Sequence, residues 1–243
     1  MIPYPLNFRL HSDEALEAIA RKIIARYDPF LLYKPTVIPI EDIMEKVYGL
    51  IIEFLYIRKN GSVLGKTVFE DTEIPIYEHR NGEGYKLIPV KAGTVIIDAS
   101  LLHKSRVGRL RFTLAHELAH WIIDKNNDAD AVETAGLFFN TMNTEFACEL
   151  FDYEALHPEV RNNKLRSDKA DIAKVVRYQE SGDITERQAN RLASRILMPK
   201  CTLKPAFHNI HNSSRNVIAV LAGVYGVSRQ AMNIRLQELA LIN

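Results

Sequence analysis

Residues 112–123 read Phe-Thr-Leu-Ala-His-Glu-Leu-Ala-His-Trp-Ile-Ile, so His116 and His120 stand four positions apart with Glu117 directly after the first. On an α-helix, which advances about 100° per residue, His116, His120, Thr113 and Glu117 fall within one arc about 100° wide. The other eight residues of the segment are apolar and fill the rest of the circle, which predicts a helix buried almost all round with one polar stripe facing the interior. Buried imidazoles and a buried carboxylate need partners. A metal ion supplies one: histidines at i and i+4 aim two nitrogens at a single zinc, and the glutamate after the first sits beside the attacking water as a general base. The plainer alternative is a pair of core histidines with Glu117 as their partner.

A catalytic zinc usually takes three protein ligands. A third histidine in the pattern H-E-x-x-H-x-x-G-x-x-H is excluded, because Ile123 stands where that pattern needs glycine. The better candidate lies on a second predicted helix, 184–198, where Leu192, Ile196, Ala189, Ala193 and Leu197 form an apolar arc that contains Glu186. Asn190 follows one turn later on the same face, placed to steady a ligand by hydrogen bonding from behind. Arg187, Arg191, Arg195 and Gln188 point to the opposite side. Asp183-Ile-Thr-Glu186 also fits a capping box, in which Glu186 would bond back to the helix start. Glu145, Glu149, Glu154 and His157 are further donors without comparable placement, and Tyr178 and His208 are candidate donors to an oxyanion.

The elements that must position these residues follow from period and turn chemistry. Ser12 caps a predicted helix over about 13–27, with Leu16, Ile19, Ala20, Ile23 and Ile24 on one face and Pro29 closing it. A short helix over about 40–48 ends at Gly49. Strand composition then runs through 50–57, 62–69, 73–77, 85–90 and 94–97, with Asn60-Gly61, Asn81-Gly82 and Ala92-Gly93 as turns, which predicts a small antiparallel meander. From about 105 the patterns are nearly all helical. Helix, strands, then helices, without strand–helix alternation, point to an α+β fold: a small antiparallel or mixed sheet packed on a helical core.

Three segments, RFTLAHELAHW, ERQANRLASRILMP and YGVSRQAMNIRLQELALI, occur in this order, and together they resemble the ImmA/IrrE family of metallo-endopeptidases. The resemblance covers about 38–123 and 183–242. It implies a zincin-type core with a thermolysin-like site, in which His116, His120 and Glu186 bind Zn2+ and Glu117 activates water. It also implies a protein substrate, an Xre-type helix-turn-helix repressor whose cleavage relieves repression of a mobile element or a stress regulon. Ala119 stands where the family usually has glycine, Leu192 and Arg195 replace a common Phe and Glu, and 65 residues lie between His120 and Glu186. The expected organisation is a metallopeptidase domain over 1–212, carrying an insertion at about 124–182, followed by helix-turn-helix-like helices over 213–243.

Lys and Arg number 31 against 30 Asp and Glu, a net charge of +1, and hydrophobic residues make up 47% against 25% charged, which excludes whole-chain disorder and a polyanion-coating protein. Cys148 and Cys201 can form neither a disulfide framework nor a four-cysteine zinc knuckle. No signal-peptide core can be drawn in the first thirty residues, and the longest apolar run, 217–227, is short of the ~20 residues of a membrane span. A soluble cytoplasmic protein is expected. In the C-terminal helices, Ala222, Gly226 and Ser228 occupy helix-turn-helix positions, and Arg229, Gln230, Asn233, Arg235 and Gln237 could reach DNA. With so little net basic charge, a hairpin that packs on the catalytic domain and helps hold the repressor is the favoured reading. The rival classes are a regulatory binding module and an antitoxin-like partner, each keeping the zinc helix as a scaffold.

Overall fold

The computed structural model describes residues 12–57, 63–79, 84–125, 185–211 and 216–242. Ser12 accepts a hydrogen bond from the Ala15 amide at 3.3 Å and so caps α1 (Asp13–Tyr27), whose predicted apolar face is buried from Ala15 to Ile24. Asp28 and Pro29 end it. The second helix covers the expected span, 40–48, but not as regular α-helix: α2 (Ile40–Asp42) widens into a π-helical turn over Ile43–Val47, and Gly49, at φ 64°, turns the chain into β1 (Ile51–Leu55).

The strands form an α+β fold, but not a single meander. β1 pairs in parallel with β5 (Thr94–Asp98), and β2 (Gly65–Thr67) pairs antiparallel on the other side of β5, giving the order β1-β5-β2. β3 (Thr72–Tyr77) and β4 (Tyr85–Val90) make a separate antiparallel hairpin. The reason lies in β5, where every residue is buried. A strand covered on both faces belongs in the middle of a sheet, and turn residues mark where the chain reverses without saying which strands pair. Val95 and Ile97 face the main core, whereas Ile96 faces a small second cluster with Val68, Ile74, Ile76 and Val90 beneath the hairpin. Gly93, at φ 84°, is the one predicted turn glycine of the three within the described residues.

The remaining helices are α3 (Val107–Lys125), α4 (185–197), α5 (Lys200–His211), α6 (Val217–Tyr225) and α7 (Arg229–Glu238). Among the described residues none is long and apolar enough to cross a membrane. The stretch read as an insertion lies outside the described residues beyond its first two positions. One apolar core joins α1, β5, α3, α4, α6 and α7, with Leu16, Val95, Leu118, Ile196, Leu221 and Leu236 fully buried within it. Each such side chain contributes about 1.5–3 kcal/mol by burial.

The arginine side of α4 does point away from its apolar arc, but only part of it meets water: Arg187 is exposed, whereas the middle of that side is covered. Gln188 and Arg195 are each 1% exposed, and so is Arg235 on α7. Arg195 pairs with Asp13 and, at 3.5 Å, with Glu238; Arg235 pairs with Glu17 and, at 3.1 Å, with Glu238, and its Nε donates to the Met198 carbonyl at 3.2 Å. α1 and α7 therefore clasp α4 through a buried ionic cluster. Arg235 is taken up by this cluster and cannot serve the DNA contact considered for it. α6 and α7 meet at 106°, and the turn between them is seated on α3: a Cβ on Gly108 would lie 2.8 Å from the Ser228 amide nitrogen. Removing one partner from a buried ion cluster strands its counter-charges, so Arg235→Ala is expected to lower the unfolding free energy by about 3–5 kcal/mol, measured by urea denaturation. A loss below ~1 kcal/mol, the range of a surface pair, contradicts this placement.

Candidate metal centre

α3 carries the polar stripe that its sequence predicts. Leu114, Ala115, Leu118, Ala119 and Ile122 are fully buried and lock the helix by packing, so its remaining side is presented to β2 and α4. On that side Thr113 and Glu117 are buried, while His116 and His120 are nearly so, with side chains 16% and 14% exposed.

The two imidazoles meet edge to face at a centroid distance of 4.6 Å, with their Nε2 atoms 3.0 Å apart. Glu186, in the first turn of α4, completes the group: its Oε2 lies 3.2 Å from His116 Nε2 and its Oε1 3.3 Å from His120 Nε2. Burial pushes the Glu186 carboxyl up, but its hydrogen bonds to both imidazoles outweigh that and hold it well below the usual carboxylate range. Both carboxylate oxygens of Glu186 are thus engaged across the helix–helix interface, and Asp183, the cap residue of the capping-box alternative, lies outside the described residues. Asn190 is half-buried one turn further along α4, and it does not reach His116 Nδ1, which is buried and has no hydrogen-bond partner among the described residues.

These donors fit a metal ion. If both Nε2 atoms carried protons for Glu186, the 3.0 Å contact between them would set two N–H groups against each other. A cation removes that conflict. Zinc bonds of 2.0–2.1 Å at the tetrahedral angle put neighbouring ligand atoms about 3.3 Å apart, close to the three separations above. Among the described residues, His116, His120 and Glu186 form the one group of three His, Cys, Asp or Glu side chains whose donor atoms lie within 4.8 Å of one another. Two imidazoles and a carboxylate suit zinc, although they suit other divalent transition metals as well.

Glu117 is held from the other side by β2, which the sequence did not single out. Thr67 Oγ1 lies 2.8 Å from Glu117 Oε2, to which it donates, and 3.1 Å from the Glu117 carbonyl oxygen. At Gly65 a Cβ would come within 2.5 Å of Glu117 Oε1 and 2.8 Å of Thr113 Cγ2, so only glycine lets the strand lie so close to the stripe. A glycine inside a strand pattern was the available signal for such an approach. Phe69 stacks on Trp121 at 5.8 Å. The core-histidine alternative gave the imidazoles Glu117 as partner, whereas the carboxylate lying between both rings is that of Glu186. Of the other sequence candidates, Glu145, Glu149, Glu154, His157 and Tyr178 lie outside the described residues, and His208 is exposed, its ring edge-on to Phe207.

Glu186→Ala is expected to weaken zinc binding at pH 7 by more than the 10–100-fold typical of losing an outer hydrogen-bond partner, measured by competition with a chromogenic chelator. Unchanged affinity in that variant excludes Glu186 as a ligand.

Residues 167–237 match the model of a protein family, Peptidase_M78, described as the IrrE N-terminal-like domain. The match takes in α4 with Glu186 and the C-terminal helices, and it begins after the two histidines of α3. No curated protein matches the chain. The family match supports the ImmA/IrrE assignment and points to a metallopeptidase-type function.

Proposed function

We propose that the chain is a cytoplasmic zinc-dependent endopeptidase of zincin type whose substrate is a helix-turn-helix transcriptional repressor. The observation that carries this reading is the convergence of His116, His120 and Glu186 on one point, with Glu117, the residue after the first histidine, oriented separately by Thr67. A zinc ion held by those three residues would supply Lewis acidity to the scissile carbonyl and acidify the attacking water. Glu117 takes the proton from that water and later delivers it to the leaving amine. A chain that used the zinc helix only as scaffold would need no such base.

The outer edge of β2, free among the described residues, supports a polypeptide substrate. The Leu64 carbonyl accepts from the Asp98 amide and the Val68 amide donates to Thr94, each at 2.9 Å. By the alternation of an antiparallel ladder, the main-chain groups of Gly65 and Thr67 then face the outer edge, where no strand pairs among the described residues. An extended substrate can add there as a further strand, beside Glu117.

The C-terminal pair, α6 and α7, we read as a helix-turn-helix-like hairpin used for packing and for holding the repressor, since its turn rests on Gly108 and Arg235 is buried. Glu117→Gln is expected to keep fold and zinc, because the amide is nearly isosteric, and to lose cleavage of the repressor by at least ~10²-fold. Electrophoresis after incubation with the purified repressor reads this directly; wild-type cleavage by the variant removes Glu117 from the reaction. A second expectation concerns DNA: the wild-type protein should bind duplex no more tightly than ~10⁻⁶ M at physiological salt, measured by fluorescence anisotropy. Tighter binding would give the hairpin a direct role on DNA.

A further inference from the structure

Three contacts align β2 and the two residues that follow it with α3: Gly65 against Thr113, Thr67 against Glu117, and Phe69 against Trp121. Each step of two strand residues, about 6.6 Å, matches a step of four helix residues, about 6 Å. The strand and the helix therefore run in the same direction, side by side. One further step toward the N-terminus of α3 arrives at Arg109. Seven residues before His116, Arg109 lies 20° short of two full turns, so it stands on the face that bears the metal group, about 10.5 Å along the axis.

Arg109 is exposed, and among the described residues no carboxylate pairs with it. Its surroundings share its sign. Residues 103–109 include His103, Lys104 and Arg106 and no acid, with Lys104 exposed. The contact of Gly108 with the Ser228 backbone brings the start of α7, with exposed Arg229, to the same end of α3. The helix N-terminus adds its partial positive charge. A chain added antiparallel to the free edge of β2 runs from the Phe69 end to the Gly65 end, so the residues after its scissile bond travel toward Arg109. At about 3.3 Å per residue, 10.5 Å is three residues.

We infer that Arg109, backed by Lys104 and Arg229, forms a subsite for an acidic side chain, Asp or Glu, at the second to fourth residue after the bond that is cut. This rests on the peptidase reading above. The subsite would select substrate segments that carry negative charge on their C-terminal side and reject basic ones by like-charge repulsion.

The test uses the zinc-loaded full chain and two probes. In the first, a peptide library made by digesting a whole proteome is incubated with wild type and with Arg109→Glu, and the cleaved bonds are read by mass spectrometry. Asp and Glu should be enriched about fivefold at those positions for wild type, equivalent to about 1 kcal/mol for an exposed ion pair. Arg109→Glu should exchange this for a preference for Lys and Arg at unchanged zinc content. In the second, Glu117→Gln, with and without Arg109→Glu, is bound to an array of random-sequence peptides and detected by fluorescence. Cleavage without the acidic preference, or with a preference that Arg109→Glu leaves unaltered, overturns the subsite and leaves the peptidase reading standing. Acid-selective, Arg109-dependent binding without cleavage by wild type does the reverse, keeping the acidic site and overturning the peptidase reading. Neither cleavage nor acid-selective binding overturns both.

Discussion

The arrangement depends on one constraint: α3 is walled in by apolar side chains on three sides and must still satisfy a polar stripe on the fourth. Burial of Leu114, Ala115, Leu118, Ala119 and Ile122 fixes the rotation of the helix about its axis, and with it the direction of His116, Glu117 and His120. Because the interior is close-packed, that rotation cannot relax by more than a small angle. Every neighbour of the stripe has to bring a polar group or stay out of the way. Thr67 brings a hydroxyl to Glu117, Gly65 keeps clear by having no side chain, and Glu186 brings a carboxylate to the imidazoles. The division follows from position: the carboxylate facing the sheet edge is held by Thr67, and the two imidazoles facing α4 share Glu186.

Glu186 is only as well placed as α4, which is secured on opposite sides by different forces. Ala189, Leu192, Ala193, Ile196 and Leu197 bind it to the apolar core. Arg195, on the far side, ties it to Asp13 of α1 and Glu238 of α7. A buried ion cluster adds little net stability relative to an apolar equivalent, but it is intolerant of misalignment, since each unmatched charge costs several kcal/mol. Glu186 is thereby coupled to both ends of the described chain. The C-terminal hairpin, seated on Gly108 and holding Arg235 inside, belongs to the scaffold of the site as much as α1 does.

The legible parts were those in which local pattern and tertiary environment agree. Ser12 to Pro29 read as a capped amphipathic helix because its cap, its face and its stop are all local signals. The stripe on α3 and the place of Glu186 within an apolar arc were legible for the same reason: helical period alone assigns the face. Strand pairing was not. The parallel union of β1 and β5 joins segments about forty residues apart, and nothing in either strand names its partner, although the uninterrupted apolar run of β5 hints at its central place. Thr67 was missed because a threonine in a strand is ordinary, and its significance comes wholly from what packs against it. The burial of Arg195 and Arg235 was not legible because a helix wheel reports the side opposite the core without reporting whether a second element covers it.

The same distinction bears on what net charge can say about partners. A balance of +1 sums cations that do unlike things. Arg111, Arg195 and Arg235 are buried and committed, Arg111 to the Ile38 carbonyl and to Glu41, the other two to the ionic cluster. None of them contributes to the field an approaching molecule meets. Lys104, Arg109 and Arg229 are exposed and lie together at one end of α3. Such a field is short-ranged, falling off within about 8 Å at physiological ionic strength, so it acts on groups already docked beside α3 more than on a distant polyanion. A nearly neutral chain can therefore be indifferent to duplex DNA as a whole and still discriminate, side chain by side chain, along a peptide laid against β2.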